Sequence, residues 1–266
     1  MPKFFVNNEQ FEDGEVRIIG NDVNHIKNVL RMKVGDTFNV CNESNSENYI
    51  VEIGKFDKEE IICNILEKCE NSAESNVKVH IYQGLPKADK MELIIQKSVE
   101  LGVSKITPVE MKRCVVKLDG KDKVKKIERW QKIAEVAAKQ SGRDIIPEIC
   151  QVKNVKSICE EFANFDLVIL CYENEKDVLL KNVLKSVYSK NGVLKDSENL
   201  NNSDFKNDLK IAVIIGPEGG IDISEVEFMK QNGAKSVSLG NRILRTETVG
   251  LSLLSIIMYE FERNEI

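Results

Sequence analysis

Histidine is nearly absent: His25 and His80 are the only two in 266 residues, so a His-rich metal site is not expected. The seven cysteines (Cys41, Cys63, Cys69, Cys114, Cys150, Cys159 and Cys171) lack any C-x-x-C spacing and are odd in number. That pattern argues against zinc ribbons and disulfide frameworks, and for free thiols in a reducing cytoplasm. No apolar run is long enough to span a bilayer. The first residues, Met1 to Asn7, lack the apolar core of a signal peptide. A cytoplasmic protein with no metal and no membrane is therefore expected. Two nucleotide fingerprints are missing as well. No G-x-G-x-x-G follows a strand pattern and no G-x-x-x-x-G-K-[ST] occurs, which weakens NAD(P) and ATP readings.

What is present is an uneven charge. The net charge is −5. Residues 1–70 hold 8 Lys+Arg against 14 Asp+Glu, whereas residues 112–143 hold 11 against 4. A basic stretch in an acidic chain is either a solvated helix face or a face that contacts phosphates.

Residues 1–66 read as a small β-rich unit. Phe4–Val6, Val16–Ile19, Thr37–Cys41, Tyr49–Ile53 and Ile61–Leu66 are short, rich in aromatic and β-branched residues, and bounded by Gly, Asn and Asp. Short strands that must hide their edges suggest a small barrel. One helix interrupts them, with Asn21 or Asp22 as cap and Val23, Ile26, Val29 and Leu30 as its apolar stripe. Arg31 lies at its end. Glu67 to Asn76 is polar, aperiodic and the expected linker.

From Val77 the pattern changes to strands alternating with longer helices. Val77–Tyr82 reads as a strand. A helix from about Asp89 places Met91, Ile94, Ile95, Ser98 and Val99 on one face and ends at Gly102. Ile106–Val109 is a short strand in which Pro108 suggests an edge or an end. The helix from about Lys125 to Ser141 turns Trp130, Ile133, Ala134, Ala137 and Ala138 inward and a Lys/Arg-rich face outward. Gly142 stops it, leaving Arg143 in a loop. Asp166–Cys171 is apolar after its first residue, as in a parallel sheet covered on both faces. Residues 189–208 read as an exposed polar excursion. Ser224-x-x-Glu227 has the pattern of a capping box, and Gly233 can end the helix it starts. The last helix, about Thr248 to Glu262, is apolar nearly all round and needs cover from a deep core or a second subunit.

Two loops stand out. Ile215-Gly216-Pro217-Glu218-Gly219-Gly220 follows the strand pattern Ile211–Ile215. Leu239-Gly240-Asn241-Arg242-Ile243-Leu244-Arg245-Thr246-Glu247-Thr248 follows Ser236–Leu239. Both end where a helix begins. At one edge of a sheet they would bound a crevice outside the carboxyl ends of the strands. Singly, the first reads as a tight strand-to-helix turn and the second as a capped helix start.

Together the two loops closely resemble the SPOUT superfamily, and more narrowly the 16S ribosomal RNA uridine N3-methyltransferases. The resemblance extends over nearly the whole chain. His25–Arg31 with Gly35-Asp36 resembles that family's N-terminal barrel, Lys87–Val103 its first catalytic-domain helix, and Glu135–Arg143 its basic helix and loop. It implies an α/β fold: a PUA-like, RNA-binding β-barrel over 1–70 and a SPOUT trefoil-knot methyltransferase domain over 77–266. It also implies S-adenosylmethionine as methyl donor, a homodimer, and 16S ribosomal RNA or the small ribosomal subunit as partner.

On that resemblance the donor's adenosine is expected against Leu239, Gly240, Ile243 and Leu244, with Leu170, Gly216 and Gly220 as further walls. Pro217, Glu218, Gly219 and Thr248 complete the expected cofactor contacts. N3 of uridine must lose its proton, and Arg245 is the expected cation beside the resulting anion. Glu218 is either a base or a cap on the neighbouring turn, and Glu247 is expected to orient Arg245. Arg31, Lys87, Lys90, Arg113 and Arg143 are the expected RNA contacts. Two rivals remain: another SPOUT methyltransferase acting on tRNA or on a ribose hydroxyl, and a non-catalytic RNA-binding protein.

Overall fold

The computed structural model describes residues 1–69, 73–190 and 209–262. The excursion expected at 189–208 lies almost entirely outside the described residues. Two compact units divide the chain: Met1–Glu74 with Glu135–Ile146, and Ser75–Ala134 with Pro147–Ile266.

The first unit is a six-stranded sheet. Its strands are β1 (Lys3–Val6), β2 (Phe11–Glu12), β3 (Glu15–Ile19), β4 (Thr37–Asn42), β5 (Asn48–Phe56) and β6 (Glu60–Cys69). They lie in the order β1-β4-β5-β6-β3-β2. β1 pairs β4 in parallel and the other pairs are antiparallel. Alternation of side chains puts Val16 and Ile18, Phe38 and Val40, and Val51 and Ile53 into one core. β6 runs to Cys69, so the first three residues of the expected linker are strand.

The helix of this unit departs from its simple pattern. α1 (Asn21–Asn24) starts after Gly20, whose φ is +69°, and no side chain caps it. The next turn, His25–Val29, widens, with Leu30 N–H donating to the His25 carbonyl five residues back. The extra residue rotates the following side chains off the apolar stripe. Val23 and Ile26 are buried, but Val29 is 63% exposed and Leu30 38%.

The second unit is a parallel sheet built from β7 (Val77–Gly84), β8 (Lys105–Glu110), β9 (Glu148–Ile149), β10 (Lys153–Asn154), β11 (Leu167–Cys171), β12 (Leu209–Ile215) and β13 (Lys235–Val237). The order is β10-β8-β7-β12-β11-β13, with β9 also on β8. Pro108 is tolerated because β9 pairs Lys105 and Ile106 and β10 pairs Val109 and Glu110, leaving Pro108 between them.

Its helices are α2 (Lys90–Glu100), the first part of α3 (Gly120–Ser141), whose residues from Glu135 on belong to the first unit, α4 (Val155–Cys159), α5 (Leu180–Lys190), α6 (Ile223–Gln231) and α7 (Thr246–Phe261). α3 begins at Gly120, earlier than its apolar pattern suggests, because Asp119 accepts the Asp122 N–H at 2.8 Å. Ile133 is only half-buried on it. Asp222, not Ser224, caps α6, accepting the Ser224 N–H. α7 packs on β7 and β12 so closely that a Cβ at Gly250 would lie 3.1 Å from Ile215 Cδ1.

The chain visits β11, steps inward to β12, then outward past β11 to β13, and finally returns to α7 over β12. Residues 238–245 make that return across the carboxyl ends of β11 and β12. They are pinned at one end by Ser238, which bonds Val178 and Leu180, and at the other by Thr246.

Candidate active site

The carboxyl ends of β11, β12 and β13 open into a crevice of about 830 Å³, a size suited to a cofactor. Residues 215–220 form one wall and residues 237–246 another, so the two loops singled out in the sequence do meet. A third wall comes from the exit of β11: Cys171, Tyr172, Glu173 and Glu175.

Backbone geometry shapes the Gly-rich wall. Gly220 has φ of +70°, and a Cβ there would overlap the Glu173 carboxylate. A Cβ at Gly84 would lie 2.7 Å from the Pro217 ring, so β7 and the loop meet backbone to backbone. Across the crevice Gly240 has φ of +109° with nothing within 4 Å of where its Cβ would be. That leaves backbone and apolar atoms open to a ligand.

Three segments are tied beneath the crevice by two side chains. Thr246 Oγ1 donates to the Gly216 carbonyl at 2.7 Å and accepts from Gln83 Nε2 at 2.8 Å. Gln83 is fully buried and Thr246 is 7% exposed, so both bonds are shielded from water and firmly directed.

At the rim Lys90 Nζ lies 3.0 Å from Glu218 Oε1 and 3.3 Å from Glu247 Oε2. Glu218 also accepts the Lys87 N–H at 3.1 Å. Partial burial pushes the Glu218 carboxyl up, but the Lys90 ammonium and the backbone donors outweigh it and hold it below the usual carboxylate range. Of the two roles open for Glu218, this geometry favours the cap over the base. Glu247 pairs with Lys90 rather than Arg245. Arg245 is exposed at the crevice and makes no ion pair among the described residues.

Of the expected cofactor contacts, Gly216, Pro217, Glu218, Gly219, Gly220, Leu239, Gly240, Ile243 and Leu244 line the crevice. Leu170 and Thr248 do not. Leu170 is fully buried within β11 and the next residue, Cys171, reaches the crevice instead. α7 begins at Thr246, so Thr246 faces inward and Thr248 faces solvent.

A family model for the RNA methyltransferase domain matches residues 73–258, and one for the RNA methyltransferase PUA domain matches residues 18–66. Ribosomal RNA small subunit methyltransferase E of Bacillus subtilis is 36% identical over 265 residues, 98% of each chain. The chain belongs to the ribosomal RNA small subunit methyltransferase E family. The family member of Mesomycoplasma hyopneumoniae is 34% identical, over 96% of this chain and 98% of that one. The crystal structure of the Neisseria gonorrhoeae family member, bound to S-adenosyl methionine, superposes with a TM-score of 0.78 at 26% identity over 98% of both chains. The fold is thus the PUA-like unit with a SPOUT α/β-knot domain that the sequence resemblance implied.

The RNA contacts expected from the family resemblance fare differently from one another. Lys87 and Arg31 are exposed, Arg31 with φ of +54°. Arg113 is exposed too but rests against the Gly-rich wall, its Nη2 3.6 Å from Asp222 Oδ2 and its Nη1 3.4 Å from the Gly219 carbonyl. Lys90 is already held by two carboxylates. Arg143 is the clearest correction. It is 6% exposed, and its guanidinium grips Glu74 through Nε at 3.0 Å and Nη2 at 2.5 Å. A buried forked pair of this kind holds a loop and leaves no face for phosphate.

Glu173, Gln83 and Thr246 join the site without having been expected there from the sequence. Glu173 carries a usable signal, because it lies two residues past the end of an apolar strand, at the same sheet edge as the two loops. Gln83 and Thr246 carry none, since 163 residues separate them.

Among the described residues no helix is long and apolar enough to cross a membrane, and no three His, Cys, Asp or Glu side chains cluster as metal ligands.

Proposed function

We propose that this protein transfers the methyl group of S-adenosylmethionine to N3 of a uridine in 16S ribosomal RNA, acting in the cytoplasm as a homodimer. The observation that carries the reading is the crevice itself. It has a glycine-shaped wall, a second wall open to backbone contact at Gly240, and at its rim Arg245, which makes no ion pair among the described residues. These residues suit a nucleoside with a charged tail. Backbone of 239–244 and the side chains of Leu244, Val237 and Val249 offer an apolar slot, and no phosphate cradle is required. S-adenosylmethionine, when bound, supplies an electrophilic methyl on a sulfonium.

The chain's own residues bind, orient and tune. Thr246 and Gln83 fix the two loops relative to each other, so that in-line geometry need not be recovered at each turnover. Arg245 favours the anionic base by opposite charge. N3 lies on the Watson–Crick edge, so the target base must be unpaired or splayed out. Lys87 and Arg113, with exposed Lys121, Lys125 and Lys132 of α3, offer phosphate contacts. Residues 1–70 would form the RNA-binding domain and 77–266 the methyltransferase domain. On α7, Tyr259 is 90% exposed and Ile256 43%, apolar surface that a second copy would cover.

Calorimetry with S-adenosylmethionine tests the site. Saturable binding that weakens when Leu244→Glu fills the slot is expected, whereas no binding to the wild type would favour a non-catalytic RNA binder.

A further inference from the structure

Methyl transfer to N3 of uridine leaves a proton to be removed, and Glu218 is already committed to Lys90 and the Lys87 N–H. The other carboxylates around the crevice are mostly committed too. Glu247 faces Lys90. Glu175 Oε1 accepts the N–H groups of Asp177 at 3.1 Å and Val178 at 3.3 Å, closing its own turn. Glu173 differs from all three. It lines the crevice, is exposed to it, and has no hydrogen-bond or ion-pair partner among the described residues. Its carboxylate lies against the Gly220 Cα, in space that any side chain at position 220 would take. The Gly-rich wall is therefore shaped around this carboxylate as well as around a cofactor.

We propose that Glu173 is the general base that accepts the uridine N3 proton. This role rests on the reading of the site as a uridine N3-methyltransferase. As the N3–H bond breaks, the proton passes to a Glu173 carboxylate oxygen and the N–H electron pair stays on N3. That pair forms the new N3–CH3 bond, while the S–CH3 bond breaks with its electrons going to sulfur, giving a neutral thioether. The protonated Glu173 then loses its proton to solvent through the open side of the crevice. Arg245, a cation, stabilises the charge that develops on the base. The two residues thus divide the task of acceptor and counter-charge.

The test compares wild type, Glu173→Gln and Glu173→Asp in single-turnover methyl transfer to 16S ribosomal RNA across a pH series, with calorimetric affinity for S-adenosylmethionine measured on each. Wild-type rates are expected to vary by less than about threefold between about pH 6.5 and about 8.5, because a base held in the crevice removes the need for uridine to ionise in solution. Glu173→Gln is expected to fall by about a hundredfold or more at neutral pH. It should then recover about tenfold per pH unit as uridine ionises in solution, with cofactor affinity unchanged within about threefold. Glu173→Asp should lie between the two. A Gln variant with near wild-type rates would overturn the role. So would a loss of rate with no pH-dependent recovery, or a parallel collapse of cofactor affinity. A wild-type enzyme that leaves N3 unmethylated would sink the proposed function itself, and this role with it.

Discussion

Lys90 Nζ lies 3.0 Å from Glu218 Oε1, and this pair fastens the Gly-rich wall to the start of α2. The ammonium holds Glu218 ionised, so Glu218 has little reason to take a proton at neutral pH. Glu218→Gln should therefore keep its rate within about tenfold of wild type, since an ion pair open to solvent contributes little. Its pH–rate profile should keep its shape. A change of slope in that profile would restore Glu218 as the base.

Thr246 joins Gly216 to Gln83 through one hydroxyl. Thr246→Val keeps the shape of the side chain and removes both bonds, each contributing about 1 kcal/mol. Affinity for S-adenosylmethionine should drop about tenfold while the fold persists, and Thr246→Ser should restore it. Equal affinity in Val and Ser variants would show that the tie does not shape the pocket.

The same residues mark what could be read in the sequence. Gly216, Gly220 and Gly240 were legible because backbone that must bend sharply or approach a ligand leaves glycine behind. The strands of both units were legible through their alternating or wholly apolar patterns. Thr246 is not legible as the inward-facing threonine, because a helix start shifts by a residue or two without changing its pattern. Cys171 is not legible as the residue that reaches the crevice, because an apolar strand in a doubly covered sheet does not announce which residue is its last. Arg143 looked like a free cation because its partner, Glu74, sits 69 residues earlier, and no local pattern encodes a distant ion pair.

That pair gives a stability prediction. The side chains of Arg143 and Glu74 are 7% and 10% exposed, and Glu74 Oε1 also accepts the N–H groups of Asp144 and Ile145. Removing one partner of a buried pair costs about 3–5 kcal/mol because the other charge is stranded. Arg143→Ala should lower the denaturant midpoint by a corresponding amount. The salt slope of RNA binding should not move; a slope reduced by about one unit would place Arg143 on phosphate after all.

His80 gives a pH prediction. It is buried against Tyr82, with ring centroids 4.2 Å apart, and Nε2 lies 2.8 Å from Thr107 Oγ1. Burial pushes its pKa down from 6.5 to about 4. A depressed folded-state value means that the unfolded chain binds the proton first. The stabilisation from neutral His80 is thus complete above about pH 6.5 and is lost as pH falls toward 4. The gap in Tm between wild type and His80→Asn should narrow over that interval; a constant gap would contradict the assignment.

The most direct measurement is mass spectrometry of 16S ribosomal RNA from cells with the gene, without it, and with Arg245→Ala in its place. One N3-methyluridine is expected that is present with the gene, absent without it, and strongly reduced by Arg245→Ala although the variant still binds S-adenosylmethionine. An N3-methyluridine content that is the same in all three strains would contradict that expectation.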